Sequence, residues 1–188
     1  MPKPELDAPA QRILEVASRL LSAEGPEALS NRRVAREAGC TTMTIYSRFG
    51  SKGGILDALF EEGIAALVAA QGAVQKGPDE VLELCLAYRQ TALASPGHYR
   101  VVFGDAVPGW SPSDALRGRV FRSWMRLRDA VFRAVSAGRA RGNPDAIAWT
   151  LFGTCHGLVS LELKGMAGAA GDPEQALRGA VAHILGGG

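Results

Sequence analysis

Cysteine is scarce in this sequence: Cys40, Cys85 and Cys155 are odd in number and far apart. They form neither a disulfide framework nor a metal knuckle, so a reducing, cytoplasmic setting is expected. Histidine is equally sparse, and His98 and His183 have no metal partners at ligand spacing. No metal and no other cofactor is expected. No unbroken run approaches about 18 apolar residues, which argues against a membrane-spanning helix. The first residues, Met1 to Asp7, have no apolar stretch of the signal-peptide kind. A nucleophile–base pair, a metal cluster and a glycine-rich phosphate loop are all missing, so no catalytic residue is assigned and an enzyme is not expected. Alternating strand patterns and internal repeats are absent too.

What is present is helical periodicity. The chain has 188 residues, 47% hydrophobic and 21% charged. That is enough for one substantial core, or for a small domain attached to a larger one. Ile13, Leu14, Ala17, Leu20 and Leu21 recur at helical steps until Glu24-Gly25-Pro26. Ser30 can cap a short second helix that Gly39 ends, and a third runs from Thr42 to Arg48. Ser51 can cap a fourth, through Ile55, Leu59, Phe60, Ile64 and Leu67. Further helices are expected over about 81–93, 113–137, 145–166 and 173–185, with a short segment at 98–103 and a loop at 104–112. The expected fold is all-α, with about nine helices. A three-helix N-terminal domain, residues 8–52, is joined by a rigid helix to a larger helical bundle, residues 53–188.

Charge is segregated although the net value is only +2. Residues 30–52 carry +4 and residues 117–141 carry +7, which leaves −9 for the remainder. This hints at a polyanionic partner. The spacing of Ala35, Gly39 and Ile45 is that of a helix-turn-helix: a small residue where two helices touch, a glycine for the left-handed turn, and an apolar residue that locks the second helix. With Ile45 inward, steps of about 100° leave Met43 and Ser47 nearly opposite, flanked by Thr44 and Tyr46, with Thr42 and Arg48 at the margins. Methyl groups, hydroxyls and a guanidinium are the groups that read base edges. Lys52 stands where the helix dipole disfavours a cation by about 0.3–1 kcal/mol. A bound phosphate or a tolerated exposed lysine explain it equally. Tyr46 divides the same way between phosphate binding and packing at the domain edge. Arg33 and Arg36 are read as solvated, with DNA contact the other reading, and Cys40 as a small plug in the turn, with redox sensing the other reading.

Residues 11–60, and above all the run Ile45-Tyr46-Ser47-Arg48-Phe49-Gly50-Ser51-Lys52, resemble the DNA-binding domain of the tetracycline-repressor (TetR) family. The resemblance implies an all-helical homodimer that binds a double-stranded DNA operator, most often as a repressor, and is released by a small effector. It places base contacts on Thr42, Met43, Thr44, Ser47 and Arg48, phosphate contacts on Tyr46 and Lys52, and further contacts on Ser30 and Arg32. Two departures stand out: Cys40 replaces a commoner valine, and Gly53-Gly54 replaces better helix formers.

Trp149 to Leu158, with His156-Gly157, resembles a C-terminal domain type of that family marked by Trp and His-Gly. Tyr99, Phe103, Gly104 and Trp110 fit it loosely. Gly153 and Gly157 lie one turn apart and permit close approach of another helix. With the last helix this makes either a four-helix interface between subunits or packing inside one. Aromatics are few, 6% of the chain, and most lie beyond residue 60. Tyr88, Tyr99, Phe103, Trp110, Trp124, Trp149, Phe152 and His156 are the candidate pocket for a largely apolar effector, the other reading of each being core. The arginines of 117–141 are read as a solvated face or as partners of acids elsewhere. A ligand-binding protein without DNA binding is the alternative function.

Overall fold

The computed structural model describes residues 7–104, 107–166 and 171–186. Among these lie nine α-helices, a single 3-10 turn at Pro26–Ala28, and no strand. The helices are α1 (Ala8–Glu24), α2 (Asn31–Ala38), α3 (Thr42–Phe49), α4 (Lys52–Ala73), α5 (Glu80–Ala94), α6 (Pro96–Phe103), α7 (Asp114–Ser136), α8 (Pro144–Leu163) and α9 (Pro173–Gly186).

These helices form two compact units. The first runs to Ile64 and takes in Ser95–Arg117; the second comprises Ala65–Ala94 and the chain from Gly118 onward. In the first, α1, α2 and α3 pack mutually. Asp7 caps α1 by accepting from the Ala10 amide at 3.0 Å. The helix then buries Ile13, Leu14, Ala17, Leu20 and Leu21, the stripe its periodicity requires. Ser30 caps α2, accepting from Arg33 N–H at 3.3 Å. Gly39 ends it at φ +70°, where the Cys40 and Gly39 amides return to the carbonyls of Ala35 and Arg36. That double closure requires a left-handed residue, which explains the glycine.

The first unit is larger than residues 8–52, because α6 lies along α1. A Cβ at Gly97 would collide with the Ser18 carbonyl oxygen, so the two backbones approach as only glycine permits. His98 then bridges three helices: its Nδ1 shares a hydrogen bond with Ser18 Oγ at 3.2 Å, and its Nε2 one with Glu62 at 3.1 Å.

In the second unit α5, α8 and α9 pack together around Leu84, Cys85, Leu151, Cys155, Val159, Leu177 and Val181. Arg89 clips the three helices, forking Glu162 at 2.7 and 2.9 Å and reaching Glu174 at 3.2 Å. Among the described residues α8 is the one helix long and apolar enough, by length and composition, to cross a membrane. Counting unbroken apolar runs passes over it, because Thr150, Thr154, His156 and Ser160 interrupt the apolar residues. Ile147, Ala148, Leu151, Cys155 and Val159 are buried, while Trp149, Thr150, Gly153 and Leu161 are exposed.

Candidate nucleic-acid interface and effector region

The geometry of α3 follows from Ile45, whose side chain is fully buried. Removing such a residue from water is worth about 1.5–3 kcal/mol, so it sets the roll of this two-turn helix. Met43 is then 71% exposed and Tyr46 51%. Ser47 and Arg48 are also exposed; Thr42 and Thr44 are half-buried. Thr41 caps the helix through the Thr44 amide at 3.3 Å, and its hydroxyl shares a hydrogen bond with that of Thr44 at 3.1 Å. Ser47 Oγ donates to the Thr44 carbonyl at 3.0 Å. The outer face therefore presents one thioether, one phenol and hydroxyls already oriented by the helix.

Arginines around it are sorted by their partners. Arg33 Nε donates to Glu37 at 2.9 Å and its Nη1 to Glu24 at 2.9 Å, while Arg19 grips Glu37 at 2.8 Å. Arg33 is therefore paired rather than merely solvated. Its guanidinium holds the Glu24 and Glu37 carboxyls below their usual range. Arg32 and Arg36 remain exposed on α2. Arg48 forks Asp7, with Nη2 to Oδ2 at 2.6 Å and Nε to Oδ1 at 2.9 Å. Sequence spacing could not reveal this pair, because 41 residues separate its members.

Lys52 is the first residue of α4 and is half-exposed. Ser51 Oγ accepts from the Gly54 amide at 3.3 Å, the cap read from the sequence. The second of the paired glycines has a structural reason: a Cβ at Gly54 would collide with the Phe49 carbonyl oxygen. Trp110 leans over the same turn, donating from Nε1 to Asp57 at 3.0 Å with its ring centroid 6.2 Å from that of Phe60.

The eight candidate pocket residues fall in both units. Tyr99, Phe103 and Trp110 belong to the first unit, where Tyr99 and Phe103 pair at 5.6 Å between centroids and Trp110 is held by Asp57. The other five form a continuous ladder in the second. Trp124 meets Trp149 edge-on at 6.3 Å, Trp149 meets Phe152 at 5.8 Å, and Phe152 meets His156 at 6.3 Å. Tyr88 packs its edge on Phe152 at 6.1 Å and its hydroxyl lies 3.3 Å from His156 Nδ1. Phe121, one of the large aromatics beyond residue 60, stacks on Trp124 at 5.6 Å. Burial pushes the His156 imidazole below its ordinary value. The Trp124 indole N–H is buried with no acceptor among the described residues, a donor left available to a ligand or a second chain.

Among the described residues, two of the cavities in the second unit have linings that do not include the ladder. One, about 600 Å³, lies along the α4–α5 turn among Ala70, Ala73, Val74, Pro78, Leu86 and Gln90. The other, about 410 Å³, lies between α4 and α7 among Val68, Gln71, Gly72, Arg119, Arg122, Ser123 and Arg126. Its sequence signal was the spacing of three arginines by three and four residues along α7. Elsewhere on α7 the arginines pair with acids, as one of the two sequence readings held. Arg133 forks the buried Glu80 at 2.8 and 3.0 Å, and Arg117 meets Asp114 at 2.6 Å.

Comparison with known proteins points one way. A model of bacterial regulatory proteins of the tetR family matches residues 13–59, and one of the tetracyclin repressor-like C-terminal domain matches residues 81–184. The chain is similar to the HTH-type transcriptional regulator Mb1846 of Mycobacterium bovis, 27% identical over 139 residues, 70% of this chain and 58% of that protein. It thus spans little more than half the length of that curated relative. It is also similar to the HTH-type transcriptional repressor DrrR1 of Streptomyces coeruleorubidus, 43% identical over 60 residues, 32% of this chain and 22% of that one. In fold it resembles the TetR family transcriptional regulator PfmR of Thermus thermophilus, with a TM-score of 0.80 at 21% identity, covering 94% of this chain and 98% of that one.

Proposed function

The chain belongs to the tetR family of bacterial regulatory proteins, and from that premise we propose that it is a cytoplasmic DNA-binding transcription regulator and not an enzyme: a repressor that a small effector releases from a near-palindromic operator. The observation that carries the reading is the roll of α3, with Ile45 buried and Met43 71% exposed. A ligand-binding protein without DNA binding has no use for a methionine held in water on a two-turn helix. In this reading residues 8–52 bind DNA and residues 53–188 bind effector and partner.

Each subunit lays α3 in a major groove. Thr42, Met43, Thr44, Ser47 and Arg48 face bases, where a methyl packs on thymine and a hydroxyl or guanidinium bonds a base edge. Tyr46, Lys52, Ser30 and Arg32 take phosphates, which fix register without reading sequence. Two copies related by a two-fold axis require half-sites about one helical turn apart or more. The exposed side of α8, with Trp149, Gly153 and Leu161, and that of α9 supply an isologous four-helix contact.

Tyr88, Trp124, Trp149, Phe152 and His156 supply an aromatic wall for the apolar part of the effector. An effector that prefers the arrangement unable to grip DNA shifts the population by its differential affinity. Helix α4, which contributes to both units, is the element that carries the change.

Selection of bound DNA from a random pool, followed by gel-shift titration, tests the proposal. A near-palindromic consensus held at moderate salt is expected. Recovery of no enriched sequence would overturn it.

A further inference from the structure

We propose that the cavity between α4 and α7 binds a small organic anion, a carboxylate or phosphate monoester, and that this anionic group belongs to the effector. The second clause rests on the regulator reading; the first does not.

The lining is one-sided in charge. Arg119, Arg122 and Arg126 contribute three guanidiniums, and no carboxylate is among the lining residues. Steps of three and four residues put all three on one side of α7. Further along the helix the cations are matched, Arg128 with Asp145 at 2.5 Å and Arg133 with Glu80 at 2.8 Å. Arg122 and Arg126 are not matched in that way. Arg126 shares the Glu80 carboxylate at 3.2 Å with Arg133, which already forks it, and otherwise donates to the Val74 carbonyl at 3.1 Å. Arg122 has no ion pair and no hydrogen bond among the described residues.

The floor is polar and built. Gln71 and Ser123 are 6% and 5% exposed, an unusual pair to bury between two helices. Ser123 Oγ donates to Gln71 Oε1 at 2.9 Å, which fixes the amide orientation. The Gln71 Nε2 group then reaches the Ser123 carbonyl at only 3.5 Å, and its second proton has no acceptor among the described residues. Guanidinium and amide N–H groups donate and do not accept. A wall made of such donors suits an oxyanion, and the planar guanidinium matches carboxylate or phosphate oxygens in pairs. Val68 and the arginine stems give an apolar flank for the organic part. A volume of about 410 Å³ admits a small ligand rather than a bare ion.

Isothermal titration of the full chain at low salt, with inorganic phosphate in one arm and hexanoate in the other, tests the site. One site per chain is expected in at least one arm, and the arm that binds names the class. Arg122→Gln should weaken that binding at least tenfold, while Arg139→Gln, on the exposed stretch after α7, should leave it unchanged. No heat in either arm, or equal losses for both variants, would overturn the site. The binding anion is then added to the protein–operator complex. Release supports the effector role and binding without release overturns it. Failure to hold any selected DNA would instead remove the regulator reading and leave the titration standing.

Discussion

Arg48, in the last turn of α3, and Asp7, the cap of α1, are locked in a two-pronged ion pair, with Nη2 to Oδ2 at 2.6 Å and Nε to both carboxylate oxygens at 2.9 and 3.1 Å. The carboxyl is held below its usual range by that guanidinium and by the Ala10 amide. A residue expected to face bases is thus tethered to the first helix in the absence of DNA. Asp7→Asn keeps an acceptor for the Ala10 amide but frees the cation. Its affinity for scrambled DNA should depend more steeply on salt, by about one unit in the log–log slope, as one added phosphate contact requires. Fluorescence anisotropy over a salt series measures this; an unchanged slope would show that Arg48, once freed, gains no contact with the DNA backbone.

Tyr46 and Thr44 should separate grip from reading. Tyr46→Ala lowers affinity for operator and scrambled DNA alike, whereas Thr44→Ala lowers operator affinity preferentially, by about 1–3 kcal/mol. Ile45→Ala removes the buried anchor, costs about 2–5 kcal/mol of stability and abolishes both. Gel-shift titration beside thermal melting distinguishes the three. Equal losses for Tyr46→Ala and Thr44→Ala on both DNAs would contradict the assignment.

The two glycines after Lys52 should behave differently. Gly54→Ala drives a methyl against the Phe49 carbonyl oxygen and should cost about 1–3 kcal/mol. Gly53→Ala meets Ser51 Oγ at 3.3 Å and Trp110 at 3.5 Å, side chains able to give slightly, and gains helix propensity of up to about 1 kcal/mol. Denaturant melts of the pair should therefore move apart, with Gly54→Ala well below Gly53→Ala.

Gly153 lies on the exposed side of α8, and a Cβ there would meet no atom of the described residues within 4 Å. Gly153→Glu should leave helicity and monomer stability intact while placing a charge in the proposed subunit contact. Sedimentation velocity is expected to show monomers where the parent protein shows dimers.

Stability should fall below pH 6.5, the ordinary value from which burial lowers the His156 imidazole. In that window the unfolded chain binds a proton that the folded chain refuses, so stability rises with pH and is complete above 6.5. Glu24 and Glu37 act lower, their contribution being present above their ordinary 4.5 and lost as pH falls further. His156→Gln should flatten the melting profile just below pH 6.5. An unaltered slope there would assign it to another group.

The legible parts of the fold were those that local chemistry decides. Ser30, Gly39 and Ser51 announced their caps, and Ile45 with its spacing announced which side of α3 faces water. The unread parts depend on meetings between distant segments. Gly97 falls in the break between the segments expected at 81–93 and 98–103, yet it is the point where α6 touches the α1 backbone. Arg33 looked solvated because Glu24 reaches it only once α1 and α2 are packed, although Glu37, four residues further along α2, was within reach by spacing alone. The aromatics were read as one set because composition does not say which unit each joins. The arginines of α7 were visible as a charge run; that three of them share a cavity with a buried amide was not.

The stitching of α6 onto α1 also sets an order of manufacture. A ribosome delivers α1, α2 and α3 first, but the strip of α1 around Ser18 has no cover until residues 96–103 emerge, after all of α5 has been made. A cloned fragment that stops at Ile64 would carry the whole recognition helix on an unfinished scaffold, whereas one that continues to Arg117 carries its own lining.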